Sequence, residues 1–168
     1  MKDPVTLYLG HYPETLLSSV RELAVQGTLG QSVQRRYPAD PEVTTDQALQ
    51  SYVTELKNRY LKRSPPLSKV CFDDKQTTLH RALGLHTKVS RVQGGRLKAK
   101  QELRVSSLFK QTPPEFLRMV VVHELAHLRE SDHNKAFYQL CCHMEPDYHQ
   151  LEFDLRLYLA ARDLDQLG

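Results

Sequence analysis

The chain has 168 residues, 40% hydrophobic and 26% charged, with a formal net charge of +3 and three cysteines. This length is most economically one domain, residues 1–168, with a single sizeable core, and no run of about 18 apolar residues provides a membrane span. The opening MKDPVTLYLGHYPETLL carries acidic residues and prolines where a secretory signal needs an unbroken apolar stretch, so a soluble cytoplasmic protein without a membrane partner is expected.

Residues 14–26 predict an amphipathic helix, with Leu16, Leu17, Val20, Leu23 and Ala24 at helical spacing before Gly27, and a short second helix reaches Arg36. After a loop at residues 38–41, Thr44 or Thr45 caps a longer helix through Leu49, Val53, Leu56 and Tyr60, which ends before Pro65-Pro66. Residues 1–64 are thus a helical N-terminal part. Residues 67–168 hold a sheet and the candidate chemistry. A short strand is expected at residues 67–72, and residues 85–92 and 96–106 flank Gly94-Gly95 as a hairpin. In the second hairpin strand Leu97, Ala99, Leu103 and Val105 share one face, and Arg96, Lys98, Lys100 and Arg104 the other. Thr112-Pro113-Pro114-Glu115 reads as a cap with proline in the first turn of a largely apolar helix through residues 119–127. A further helix runs through Ala136, Phe137 and Leu140, and residues 148–164 form the last, with Leu151, Leu155, Tyr158, Leu159 and Ala161 on its buried side. Cys71, Cys141 and Cys142 are odd in number and lack paired spacing, so reduced thiols packed as small hydrophobes are expected.

The apolar helix contains the box His123-Glu-Leu-Ala-His127. Positions i and i+4 differ by about 40° of helical rotation, so both imidazoles point to one face and can hold one metal ion. Burying two imidazoles and a carboxylate without partners costs several kcal/mol, which a metal relieves. Two neutral imidazoles and a third protein ligand leave one position of a zinc ion for water, and Glu124, beside that position, is the expected general base. His133 is the leading third ligand. Six residues past His127, a continued helix would turn it about 240° away, so the chain must bend first. Ser131, Asp132 and Asn134 tolerate such a turn, and Asp132 or Asn134 can cap the following helix. Glu130, Glu145 and Asp147 are the competing third ligands. Zn²⁺ is the expected cofactor, and nickel, cobalt or manganese also suit imidazole donors.

Charge is uneven along the chain. Residues 81–104 contain seven Lys or Arg against one Glu, whereas residues 145–168 hold six acidic and two basic residues. A solvated strand face explains the basic hairpin by default, and the functional alternative is an electropositive lip that draws phosphates. Arg91, Lys98, Lys100 and Tyr148 are the candidate substrate-binding residues. Arg91, His86, Tyr148 and His149 can each stabilise developing negative charge, and Glu130, Asp132 or Glu145 can accept the second ring N–H of a ligand histidine. His143 reads as a surface or packing residue. No aromatics interleave the basic run, so single-stranded nucleic acid is not indicated as a partner.

The stretch from His123 to Phe137, with Ala82-Leu-Gly-Leu-His86, Ser90-Arg-Val-Gln-Gly-Gly95 and Cys141-Cys-His-Met-Glu-Pro146, resembles the YgjP-like predicted zinc metallopeptidases, relatives of the SprT-like zinc proteases. The resemblance covers most of the chain. It departs in having Tyr138 where many members have tryptophan, and in lacking a Trp-Gly-Ser strand motif common in the wider family. It implies an α+β, zincin-like fold: N-terminal helices, a small antiparallel or mixed sheet with the basic hairpin, a metal-bearing helix and C-terminal helices. It further implies His123, His127 and His133 as ligands and Glu124 as the acid/base. The first functional reading is a metallopeptidase hydrating a peptide carbonyl. The alternative, also carried by the resemblance, is hydrolysis of UTP to UMP and pyrophosphate at the same metal. A third is a nucleic-acid-binding module with an inactive zinc site. A peptidase should present an open sheet edge, and a nucleotidase should converge several cationic side chains on a pocket.

Overall fold

In a computed structural model of the chain, residues 2–84 and 101–168 are described. In chain order the elements are α1 (Pro4–Leu9), α2 (Glu14–Val25), α3 (Leu29–Arg36), α4 (Asp46–Tyr60), β1 (Lys69–Asp73), α5 (Gln76–Ala82), β2 (Glu102–Ser106), a 3₁₀ turn (Ser107–Lys110), α6 (Pro114–Ala126), α7 (Lys135–Met144) and α8 (Tyr148–Asp163). The fold is α+β. Its contacts divide into two compact units, one comprising the residues up to Ala39 with His149–Gly168, the other Asp40–Tyr148. Among the described residues no helix is long and apolar enough to cross a membrane.

In the first unit α1 packs on α2 and α2 on α3. The residues that begin α1 follow the rules of helix starts: Asp3 accepts from the Thr6 N–H at 3.1 Å, and Pro4 takes the first position, where its missing N–H costs nothing. That six-residue helix is too short to show a hydrophobic period, and periodicity does not predict it. Two charged residues of α8 are buried, and both are compensated. Asp154 accepts from Arg36 at 2.6 Å, from the Tyr37 hydroxyl and from Gln150; Arg156 donates to the Tyr8 carbonyl and to Glu152, each at 2.9 Å. These bonds tie α8 to α1 and α3.

In the second unit Thr45 caps α4 by accepting from the Ala48 N–H at 3.1 Å, one of the two expected threonines. β1 lies two residues later than its predicted start, and β2 keeps the C-terminal end of its predicted strand, with Leu103 and Val105 buried and Arg104 exposed as the alternation requires. β1 and β2 are parallel, with Val70 opposite Leu103 and Phe72 opposite Val105. Parallel neighbours need a crossover connection, and α5 lies within it. The hairpin predicted around Gly94-Gly95 lies outside the described residues.

α6 is buried almost all round, from Phe116 through Ala126, and packs against β2, α5, the 3₁₀ turn and α7. Pro114 opens it, but Thr112 does not cap it; Pro113 holds the cap position, and the buried Thr112 hydroxyl donates to the Pro113 carbonyl. Arg118 on α6 donates to Glu145 and to the Met144 carbonyl, each at 2.9 Å, which pins the end of α7. Asn134 caps the start of α7, accepting from the Phe137 N–H at 2.9 Å. The three cysteines are free; Cys71 and Cys141 are buried and Cys142 half-buried.

Candidate metal centre

α6 brings His123 and His127 to one face. It ends at His127, whose backbone is still right-handed, and the next residues close short turns from Leu128 to Leu125 and from Glu130 to Ala126. Asn134 then bonds back to the Asp132 carbonyl, and the bend returns His133 to the other two rings. Donor nitrogens of His123, His127 and His133 all lie within 4.8 Å of one another, and the Nε2 atoms of His127 and His133 are 3.0 Å apart. Ring centroids are 4.9 to 5.0 Å apart for every pair. Phe137, fully buried on the first turn of α7, lies within 4.6 to 5.0 Å of all three rings and forms their common apolar support.

The second nitrogen of two rings is engaged. His127 Nδ1 lies 3.0 Å from the Glu130 carbonyl, which can only accept, so the ring proton resides on Nδ1 and Nε2 is free to bind a cation. His123 Nδ1 lies 2.8 Å from the Tyr148 hydroxyl. Burial holds the His127 pKa below the ordinary imidazole value, and the neighbouring His133 adds to this, outweighing the carbonyl contact; the neutral ring is the form a metal needs. Glu124 points from the same helix and is half-buried. Loss of solvent around its carboxylate pushes its pKa up to about 7, against the opposing pull of the Arg81 guanidinium. Three clustered imidazoles on a shared apolar floor, with a carboxylate next to the first of them in the chain, match what zinc and its neighbours in the transition series accept.

The competing carboxylates are elsewhere. Glu145 is held by Arg118 and accepts from the Asp147 N–H, and Glu130 contributes its backbone carbonyl rather than its side chain. Asp132 and Asp147 are exposed, and His143 packs its ring edge-on to Tyr60 at 5.5 Å. Tyr148, a candidate substrate-binding residue by sequence, has its hydroxyl 2.8 Å from His123 Nδ1. His149, exposed, begins the part of α8 that belongs to the other unit. His86, Arg91, Lys98 and Lys100 lie outside the described residues. Two participants escaped the sequence reading. Phe137 reads from the sequence as a helix residue and the end of the motif, with no site role, although its position four residues beyond His133 anticipates contact once Asn134 caps the helix. Arg81, at the end of α5, carries no spacing signal toward Glu124.

The family profile described as YgjP-like, metallopeptidase domain, matches residues 21–158. A UTP pyrophosphatase from Escherichia coli (strain K12) is 58% identical over 159 residues, covering 95% of each chain. No solved structure matches the chain significantly. The protein is therefore an enzyme, a hydrolase, and it belongs to the YgjP-like family.

Proposed function

We propose that this chain is a zinc-dependent pyrophosphatase of nucleoside triphosphates that converts UTP to UMP and pyrophosphate. The observation that carries the reading is the near full-length similarity to an enzyme named for that reaction, joined to a three-histidine cluster beside a carboxylate of raised pKa. The nucleotide thus takes precedence over the peptide carbonyl that the motif alone suggested first. His123, His127 and His133 would hold the cation. When bound, zinc supplies a Lewis acid and lowers the pKa of water from 15.7 to about 7.

Glu124 accepts the proton of the attacking water. The water oxygen bonds to the α-phosphorus as the bond from that phosphorus to the bridging oxygen breaks, and pyrophosphate leaves with the electron pair. A carboxyl poised near 7 can take that proton and pass it on at neutral pH. Arg81 is a cation whose charge is felt at Glu124, and Arg91, Lys98 and Lys100 are proposed as further phosphate contacts.

The family's metallopeptidase description favours peptide hydrolysis as the second reading. Zinc-loaded protein assayed in parallel against the four nucleoside triphosphates and unfolded polypeptides separates the two. UTP should yield UMP and pyrophosphate, and Glu124→Gln should lower turnover at least 100-fold with zinc still bound. Peptide cleavage without pyrophosphate release, or full activity in the metal-loaded variant, would refute the proposal.

A further inference from the structure

We propose that Tyr148 is a positioning residue for the metal centre: its hydroxyl accepts the Nδ1–H of His123 and so fixes the tautomer whose Nε2 faces the cation. The inference rests on the metal-site reading given above and extends it to a residue outside the His-Glu-x-x-His box.

A neutral imidazole carries one ring proton, and the 2.8 Å contact admits two arrangements. If the hydroxyl donates to Nδ1, the proton of His123 sits on Nε2 and that nitrogen cannot bind metal. If Nδ1–H donates to the hydroxyl oxygen, Nε2 presents its lone pair toward His127 and His133. Only the second is compatible with a cation held by all three rings. His127 needs no such selection, because a backbone carbonyl has no proton to give. Both outer partners are uncharged, a hydroxyl and a carbonyl, so neither adds negative charge behind the ligands and the cation keeps its full polarising power.

The hydroxyl is also built into place. Tyr148 is 1% exposed and His123 4%, and the two rings lie nearly parallel, 13° apart in plane with centroids at 6.5 Å. The turn that delivers Tyr148 is secured to the helix that carries His123. Arg118, five residues before His123, binds Glu145; Glu145 accepts from the Asp147 N–H through its carboxylate and from the Tyr148 N–H through its carbonyl. One helix therefore holds the ligand and, through a charged clamp, the group that orients it.

Tyr148→Phe removes the hydroxyl and keeps the ring. Zinc affinity, measured by competition with a chromophoric chelator, should fall about 10- to 100-fold. Hydrolysis of UTP by the variant should recover toward the wild-type kcat as zinc is raised, because the defect is in occupancy. An affinity within threefold of wild type overturns the proposal, and so does an activity deficit that excess zinc does not restore, which would make Tyr148 a substrate contact. Should the variant fold poorly, wild-type protein labelled with ¹⁵N-histidine decides: Nδ1 of His123 protonated in the zinc-loaded state supports the assignment, and Nδ1 bound to zinc overturns it. A wild-type chain that takes up zinc yet leaves UTP intact would refute the proposed reaction and not this inference, whereas a chain that binds no zinc would end both.

Discussion

Glu124→Gln should make the metal-free protein more stable at pH 8 while it disables the enzyme. In an unfolded chain the carboxyl releases its proton near the ordinary value of 4.5; in the folded, metal-free chain it does so only at about 7. Between those values the folded state retains a proton that the unfolded state has lost, so stability falls as pH rises through the window. At 1.36 kcal/mol per pH unit the interval corresponds to about 3 kcal/mol, a large fraction of the 5–15 kcal/mol that holds a typical domain together. Glutamine has no proton to lose, and fitting its amide into the same half-buried position costs about 1 kcal/mol at every pH. The variant should therefore be more stable than wild type by about 2 kcal/mol at pH 8, and no more stable at pH 4.5. Urea denaturation of both proteins in the presence of a chelator measures the difference at each pH. The histidines titrate in both proteins alike and cancel in the comparison. A difference that stays the same at the two pH values, or a variant less stable at pH 8, would refute the reasoning.

His123→Ala should lose zinc as well as turnover, which metal analysis of the purified variant reads directly; retained stoichiometric zinc would exclude His123 as a ligand. Phe137→Ala should cost about 3–5 kcal/mol in denaturation, because a fully buried ring is deleted, and should weaken zinc binding too, since that ring supports all three imidazoles. Unchanged zinc affinity in a folded Phe137→Ala protein would show that the rings are held by other contacts. Gly30→Ala places a methyl carbon 1.9 Å from the Gln166 carbonyl oxygen, a backbone atom that cannot yield without moving the C-terminal residues. It should destabilise by about 1–3 kcal/mol and raise amide exchange in residues 164–168. Gly27→Ala, by contrast, meets no neighbour and should show only the penalty of about 1–2 kcal/mol for its positive φ of 74°.

The long helices and the two clustered histidines of α6 were legible because periodicity and the i, i+4 rule act within a single element. α2, α4 and α8 fall within a residue or two of their predicted spans, α7 contains the expected Ala136, Phe137 and Leu140, and Thr45 and Asn134 cap where a hydroxyl or amide before an apolar run should. What local rules could not supply was pairing. Nothing in residues 67–72 states that its partner is residues 102–106 in parallel, since register depends on a crossover whose path is a tertiary matter. The same limit hid the role of Tyr148. Its 25-residue separation from His123 is invisible to any periodicity, so the sequence offers it only as one of several groups able to stabilise developing negative charge.

The bend to His133, expected from the sequence, is made without the residue that commonly ends a helix. No glycine lies between His127 and Asn134, although a left-handed residue commonly ends a helix. Among the described non-glycine residues only Asp165 has positive φ, so the bend is made without one. Tightened turns after Ala126, and the bond from the Asn134 N–H to the Asp132 carbonyl, rotate the chain in right-handed and extended steps. That route occupies the five residues between the second and third histidines. It also grades the exposure of the site: His123 is buried, Glu124 and His127 are half-buried, and His133 is exposed. For the proposed reaction a hydrated triphosphate would approach from the His133 side, the most open of the four among the described residues, and substitutions at residues 129–132 should alter KM before they alter the chemistry at Glu124.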